Sequence, residues 1–427
     1  MDPIFVYRTL DPVTTDGPLQ GLRVALQPNL AVEDWPTEAG SRALAGYTAP
    51  EDATIVQRLR TSGAHLSGST HMSEFGFGLA GSRAGAALWA GQADVELVLD
   101  LMGESRVAAA HAGVYGLKPS YGLVSRFGLV GLIPSMECCG VLSADLDGIR
   151  AVLRAVVGQD GLDFSLPEEP MADLAPEAID PGRITVGVVR ETQEGLGTEQ
   201  EEAVRSAIDG LAGAGFAVRE VSLPEWSLYA LVHRIVGSVE ASSAAGRYDS
   251  VRYGPRAPGA KNWNEMYLLS RAMAFGTLLK SYLIQGAYFQ FERYAAFEDA
   301  SRIRARLVGE MRGLLREVDF LVVPTAVPPA VAGDAAGDMV SSTSGDAPAS
   351  LDGTYAQFAA TLFANVTGQP VLYVPPAAAA RAPAERAGTG LTAAAPAVGL
   401  QLAGPRLSDG RLLALGEYLQ NTGRGGK

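Results

Sequence analysis

Gly103-Glu104-Ser105-Arg106-Val107-Ala108-Ala109-Ala110-His111-Ala112-Gly113-Val114-Tyr115-Gly116-Leu117-Lys118-Pro119-Ser120-Tyr121-Gly122 is the stretch on which the reading of this chain turns. Small residues fill 105–114 and Gly116 follows, which spells a closely packed helix with a glycine stop. Gly-rich turns run on through Gly131, and 144–157 reads as a further helix. Outward from there, strand-like apolar runs alternate with helical ones. Residues 22–26 read as a buried strand, 52–60 as a helix with an acidic first turn, and 64–67 as the next strand. After a linker containing Pro167, Pro170, Pro176 and Pro181, 182–189 is a clear strand, and an amphipathic helix over 198–215 leads into a strand at 217–221. A long helical pattern fills 263–318 and ends in a buried strand at 319–325 with a proline stop at Pro324. A last strand covers 397–402 and a closing helix 409–420. This order predicts an α/β fold with a mainly parallel sheet. The Gly, Ser, Ala and Asp rich segment 329–353 reads as a mobile loop, and the Ala and Pro rich piece 375–396 as an insertion.

Composition narrows the partners. With 427 residues, 47% hydrophobic and 19% charged, the chain has the makings of a well-packed core. Its formal charge of −13 argues against nucleic acid or an anionic membrane, since both call for clustered Lys and Arg. Lysine occurs only at positions 118, 261, 280 and 427. The start lacks a cationic stretch followed by an apolar run, and no segment reaches the ~18 apolar residues of a membrane-spanning helix. The two cysteines, Cys138 and Cys139, are neighbours and cannot staple the fold across a distance. A cytoplasmic protein is expected. Two cysteines and four histidines without ligand spacing give no metal site, and nothing calls for a cofactor.

The same stretch resembles the signature of the amidase signature family, serine hydrolases of amides and esters. Counting back from Gly116-Leu117-Lys118-Pro119, the family's Asp-Thr-Gly-Gly-Ser-Ile-Arg falls on Asp100-Leu101-Met102-Gly103-Glu104-Ser105-Arg106. Its Gly-Gly-Ser-Ser-Gly-Gly-Ser loop falls on Gly78-Leu79-Ala80-Gly81-Ser82-Arg83-Ala84, and its Pro-Val-Ala-Val-Lys-Asp-Asn-Ile on Arg23-Val24-Ala25-Leu26-Gln27-Pro28-Asn29-Leu30. The likeness runs on through Ala39-Gly40-Ser41, the 70–75 stretch, 319–325 and Asn365-Val366-Thr367-Gly368-Gln369-Pro370. It implies a single α/β domain over 1–427, a large mixed, mostly parallel sheet wrapped by helices. The core signature would occupy 17–157, an elaboration 182–325 and a closing segment 354–421. The chain begins some tens of residues later than the usual family layout, so a homodimer or a pairing with another protein is expected to differ from the family's.

The resemblance also implies which side chains have changed. The family's nucleophilic serine becomes Glu104, the serine that relays the proton becomes Ala80, and the lysine base becomes Gln27. Ordinary amide hydrolysis needs a hydroxyl, a base and a relay, so its loss is expected. Ser105 offers itself as a displaced nucleophile, although a one-residue shift turns a helical side chain by ~100°. Glu104 reads either as an acid or base beside the family's oxyanion N–H groups or as a plug held by those groups and the helix dipole. Gln27 is expected to donate an amide hydrogen to it, and Arg83 to neutralise it or to meet a substrate carboxylate. Met102, Gly103 and Cys138 complete the expected pocket. Local hydrogen bonding suffices for His71 and Glu74, and packing for His111. The expected function is a non-hydrolytic small-molecule reaction such as cyclisation, isomerisation or elimination, with Glu104 as acid or base. The alternative is an inactive pseudo-amidase that binds a ligand or scaffolds a partner.

Overall fold

A computed structural model describes residues 2–9, 16–166, 174–326, 350–376 and 398–424. Eleven strands form one sheet: β1 (Phe5–Arg8), β2 (Arg23–Leu26), β3 (His65–Thr70), β4 (Val95–Asp100), β5 (Tyr115–Lys118), β6 (Cys138–Ser143), β7 (Thr185–Val189), β8 (Ala217–Val221), β9 (Phe320–Ala326), β10 (Val371–Val374) and β11 (Val398–Ala403). Their order across the sheet is β1-β3-β2-β4-β6-β5-β10-β11-β9-β7-β8. The helices are α1 (Thr54–Thr61), α2 (Ala86–Trp89), α3 (Glu104–Ala112), α4 (Leu146–Val156), α5 (Thr198–Gly213), α6 (Trp226–Ala244), α7 (Trp263–Ala274), α8 (Thr277–Phe291), α9 (Tyr294–Leu314), α10 (Leu351–Gln357), α11 (Leu362–Thr367) and α12 (Asp409–Arg424).

The sheet is the large mixed one expected, with its parallel pairing concentrated in two blocks. β2 runs parallel to β3 and β4, and β7 parallel to β8 and β9. Between the blocks β4, β6, β5, β10, β11 and β9 pair antiparallel, which corrects the expectation of a mostly parallel sheet there. The reason is connectivity: the chain returns from β5 to β6 without a crossover helix, and parallel neighbours require one.

Alternating strand residues serve two apolar layers, as pleating dictates. In β9, Leu321 and Val323 join one cluster with residues of α3, α6, α8, α9 and α11, while Phe320 and Val322 join the other with residues of α1, α4, α5 and α12. The expected long helical pattern over 263–318 is three helices. It breaks at Phe275 and Gly276, in extended backbone, where Glu74 accepts the Gly276 N–H at 2.8 Å, and again at Glu292 and Arg293. The short helix at 105–114 ends a residue or two earlier than read, at Ala112. Gly113 takes the left-handed cap, and Gly116 lies inside β5. β4 escaped the sequence reading because all six of its residues are buried, leaving no alternation to detect. The segment read as a mobile loop, 329–353, lies outside the described residues except for 350–353, which open α10, where Ser350 caps Gly353 N–H. The insertion 375–396 lies outside them except for 375 and 376, as do Pro167 and Pro170 of the linker.

A buried carboxyl in a cradle of peptide N–H groups

β4 ends at Asp100, and after three intervening residues α3 begins at Glu104. The turn between them depends on Gly103. Its φ of 127° is closed to ordinary side chains, and a Cβ there would lie 2.1 Å from Thr361 Oγ1. α3 then packs through small residues: a Cβ on Gly116 of β5 would lie 2.6 Å from Ala109 Cβ, and one on Gly140 of β6 2.4 Å from Ser105 Cβ. The alanine-rich stretch read from sequence is therefore what lets the helix settle on the sheet.

The turn aims three consecutive peptide units at one oxygen. Glu104 Oε2 accepts the N–H groups of Leu101, Met102 and Gly103 at 2.7, 2.7 and 3.1 Å, and Oε1 accepts that of Gly78 at 3.1 Å. Each of the three peptides is also gripped on its carbonyl side by a buried side chain from a distant element. Asn365 Nδ2 donates to the Asp100 carbonyl at 3.2 Å, His233 Nε2 lies 3.0 Å from the Leu101 carbonyl, and Thr361 Oγ1 donates to the Met102 carbonyl at 2.5 Å. This is the geometry of an oxyanion hole, with donors fixed before any ligand arrives.

Electrostatics around the carboxyl pull in opposite directions. Burial, followed by the negative charge of Asp100, raises the Glu104 pKa above the usual carboxylate range, and the backbone N–H groups pull it back only in part. Asp100 goes the other way. Burial alone would raise it, but the Arg106 guanidinium, with Ser105, Asn365 and Lys118, holds it below the usual range. Arg106 Nη2 meets Asp100 Oδ1 at 3.1 Å with both side chains fully buried, and the guanidinium also reaches Asn365 Oδ1, the Thr361 carbonyl and Gln401 Oε1. Hydrogen bonds on nearly every side stabilise that pair, as a buried ion pair requires.

The remaining residues singled out from sequence fall in several places. Met102 and Gly103 serve through their backbone N–H groups, as part of the cradle. Ser105 donates its hydroxyl to Asp100 Oδ2 and is fully buried, so it is committed to the ion pair rather than poised as a nucleophile. Gln27 is buried, but its Oε1 accepts the Leu99 N–H at 2.9 Å, and the bond it was expected to donate to Glu104 is not among those formed by the described residues. Ala80 lies exposed on the turn that follows Gly78. Arg83 donates Nε–H to the Pro3 carbonyl at 3.2 Å, while Glu104 is satisfied by backbone, so the structure places Arg83 elsewhere than at that carboxyl. Cys138 lies opposite Asp100 in the β4/β6 register. Burial pushes its thiol up to about 12 despite Lys118 nearby, which leaves it a poor nucleophile, and both cysteines are free. Glu74 accepts from Ser41 Oγ at 2.7 Å and from Gly276 N–H, and His71 Nε2 meets the Asp2 carbonyl at 3.2 Å.

Sequence reasoning missed His233, Tyr355, Tyr282 and Thr361. Only Asn365 had a signal, within the quoted 365–370 motif. It also missed an open cleft elsewhere on the molecule. Two adjoining cavities of about 330 and 280 Å³ share Arg126, Pro134 and Arg247. Tyr121, Ser135 and Glu240 line the first, Glu137 and Asp163 the second. Neither cavity is lined by Glu104 or by the residues whose N–H groups hold it. Among the described residues no group of His, Cys, Asp and Glu is placed to hold a metal ion, and no helix is long and apolar enough to cross a membrane.

Comparison with known proteins places this arrangement. The family model described as Amidase matches residues 8–86 and 81–413. A glutamyl-tRNA(Gln) amidotransferase subunit of Natronomonas pharaonis is 33% identical over 441 aligned residues, covering 96% of this chain and 97% of that relative. The chloroplastic/mitochondrial counterpart from Zea mays is 32% identical, over 95% of this chain and 77% of its own length. Among solved structures, the glutamyl-tRNA(Gln) amidotransferase subunit from Thermotoga maritima superposes with a TM-score of 0.75 at 23% identity, covering 98% of this chain and 87% of that one. A peptide amidase from Stenotrophomonas maltophilia does so with 0.71 at 24%, covering 96% and 84%. These likenesses correct the expected function. Relatives matched along nearly the whole of this chain are named amidotransferase subunits, which supports amidase-type chemistry in place of a non-hydrolytic reaction, and in place of the pseudo-amidase alternative.

Proposed function

This chain belongs to the amidase family, and from that premise we propose that it acts on amide groups, releasing or transferring the amide nitrogen as one component of a larger assembly. The observation that carries the reading is the 33% identity, over 96% of this chain, to a glutamyl-tRNA(Gln) amidotransferase subunit. Within the reading, Gln27, Ala80 and Glu104 stand in place of the family's lysine and two serines, so the acid and base work passes to the Glu104 carboxyl. As substrate enters, the carboxylate yields the cradle to the amide oxygen and takes a proton from water. The water oxygen bonds to the carbonyl carbon, and the electron pair moved onto the carbonyl oxygen is held by the Leu101, Met102 and Gly103 N–H groups. Collapse breaks the C–N bond, and protonated Glu104 returns its proton to the departing nitrogen. A pKa raised above the ordinary range suits a carboxyl that must hold that proton for part of the cycle.

A protein partner is supported by the relatives' designation as subunits, and the exposed Leu268, Met273, Ile284 and Phe291 on α7 and α8 offer apolar surface for it. Two free buried thiols fit a reducing, cytoplasmic setting. The test is ammonia release from glutamine, asparagine and acetamide by the full chain. We expect measurable release that falls about 100-fold or more in Glu104→Gln and persists in Ser105→Ala. Release unchanged in Glu104→Gln, or none above that variant in the parent chain, overturns the reading.

A further inference from the structure

His233 is fully buried on α6 with both ring nitrogens engaged: Nε2 lies 3.0 Å from the Leu101 carbonyl and Nδ1 2.9 Å from the Tyr355 hydroxyl. Tyr355 Oη is in turn 3.2 Å from Tyr282 Oη. A carbonyl oxygen only accepts, so Nε2 must carry the proton. Burial lowers the affinity of the ring for a second proton, to a pKa of about 4, so at neutral pH Nδ1 is bare and accepts the Tyr355 hydroxyl. The Tyr355 oxygen is then left to accept from Tyr282. Every bond in the row points one way, from Tyr282 through Tyr355 and His233 to the Leu101 carbonyl. The N–H of that same peptide, on Met102, continues the row to Glu104 Oε2 at 2.7 Å.

We propose that His233 is a positioning residue for Glu104, holding and polarising the Leu101–Met102 peptide so that its N–H stays on the carboxyl, with Tyr355 and Tyr282 fixing the ring's tautomer. A hydrogen bond accepted at a peptide carbonyl strengthens the donor on the same unit, and rows of aligned bonds reinforce each other. Thr361 and Asn365, the latter with its Oδ1 accepting from Arg106 at 2.6 Å, hold the flanking peptides. His233 alone of the three is backed by two further hydroxyls, Tyr355 on α10 and Tyr282 on α8. The charged groups facing the ring are Asp100 at the end of β4, which favours a charged ring, and Arg304 on α9, which opposes it; Arg234 lies over the Tyr355 ring, and Glu104 and Glu240 act on the tyrosines. The inference deepens the reading of Glu104 given above, but it is read out by spectroscopy without turnover, so either can fail alone.

The experiment is NMR on the full chain, with 15N-labelled histidine and 13C-labelled glutamate. In the parent protein the His233 ring should show a protonated Nε2 and an accepting Nδ1 across neutral pH, and the opposite tautomer overturns the proposal. His233→Phe should shift the Met102 amide proton towards the value of a weaker hydrogen bond and raise the midpoint of the Glu104 carboxyl titration. His233→Gln, whose amide can still reach the carbonyl, should restore part of both, and Tyr355→Phe should move both in the same direction as His233→Phe but less. A native-like His233→Phe spectrum with both signals unmoved overturns the proposal. If that variant does not fold, the parent tautomer and the Gln and Tyr355 variants decide.

Discussion

A buried glutamate lies near each end of β4, Glu96 within the strand and Glu104 beyond it, and the two are held differently. Glu96, near the strand's start, is fully buried and accepts from Thr70 Oγ1 at 2.8 Å and from the Gly85 N–H at 2.7 Å. Burial alone accounts for the rise of its pKa to about 7, since no charge faces it among the described residues. Glu104, just past the strand's end, accepts twice as many hydrogen bonds from protein, yet it too is raised, because Asp100 adds its negative charge to the burial. The comparison teaches that donor count does not set the protonation of a buried carboxyl by itself. A carboxylate in a well-furnished cradle still keeps a high proton affinity when another carboxylate is its neighbour and solvent is excluded. Glu96 ties β3 to β4 within the sheet, whereas Glu104 sits at the carboxyl end of a strand, where open α/β sheets place their chemistry.

The sharpest way to break the comparison is to spoil the cradle and leave the strand intact. Gly103→Ala puts a methyl group into Thr361 Oγ1 at a positive φ, and we expect a loss of roughly 4 kcal/mol, from strain plus overpacking. Urea unfolding that shows less than ~1 kcal/mol lost would mean the turn is not as tightly determined as described. Next in size is the pH dependence contributed by Glu96. Its folded pKa is about 7 against an ordinary 4.5, so its stabilising proton is fully present below 4.5 and lost as pH rises to about 7, a change of ~3 kcal/mol. Urea melts of the parent and of Glu96→Gln between pH 4 and 8 should show that slope removed in the variant, and identical slopes would refute it. The smallest effect belongs to Ser105→Ala. Asp100 keeps Arg106 and Asn365 but loses one charge-assisted bond, so about 2 kcal/mol of stability should go, with ammonia release unaffected beyond what that loss explains. Abolished release in a stable Ser105→Ala protein would mean that this hydroxyl does more than hold Asp100.

Much of the fold was legible in the chain because it is written in local signals. The apolar runs that became β2, β7, β8 and β9 were read nearly in place, as were the helix of small residues that became α3 and the glycines that let it pack. β4 and β6 carry buried residues at every position, so periodicity had nothing to report there. At the site, the reading fixed on Glu104 but assigned it the wrong company, since Gln27 and Arg83 bond elsewhere.

By itself the sequence determined that a carboxyl stands at the start of a helix of small residues, with a glycine before it that permits the turn. Only the tertiary structure decided what surrounds that carboxyl. The side chains that grip the cradle come from 132, 259 and 265 positions away, in His233, Thr361 and Asn365. They act on peptide carbonyls, which every residue has and no residue type marks. Their pairing therefore depends on where α6 and α11 are laid against the end of β4. That is set by the packing of whole apolar faces, and a spacing along the chain does not encode it.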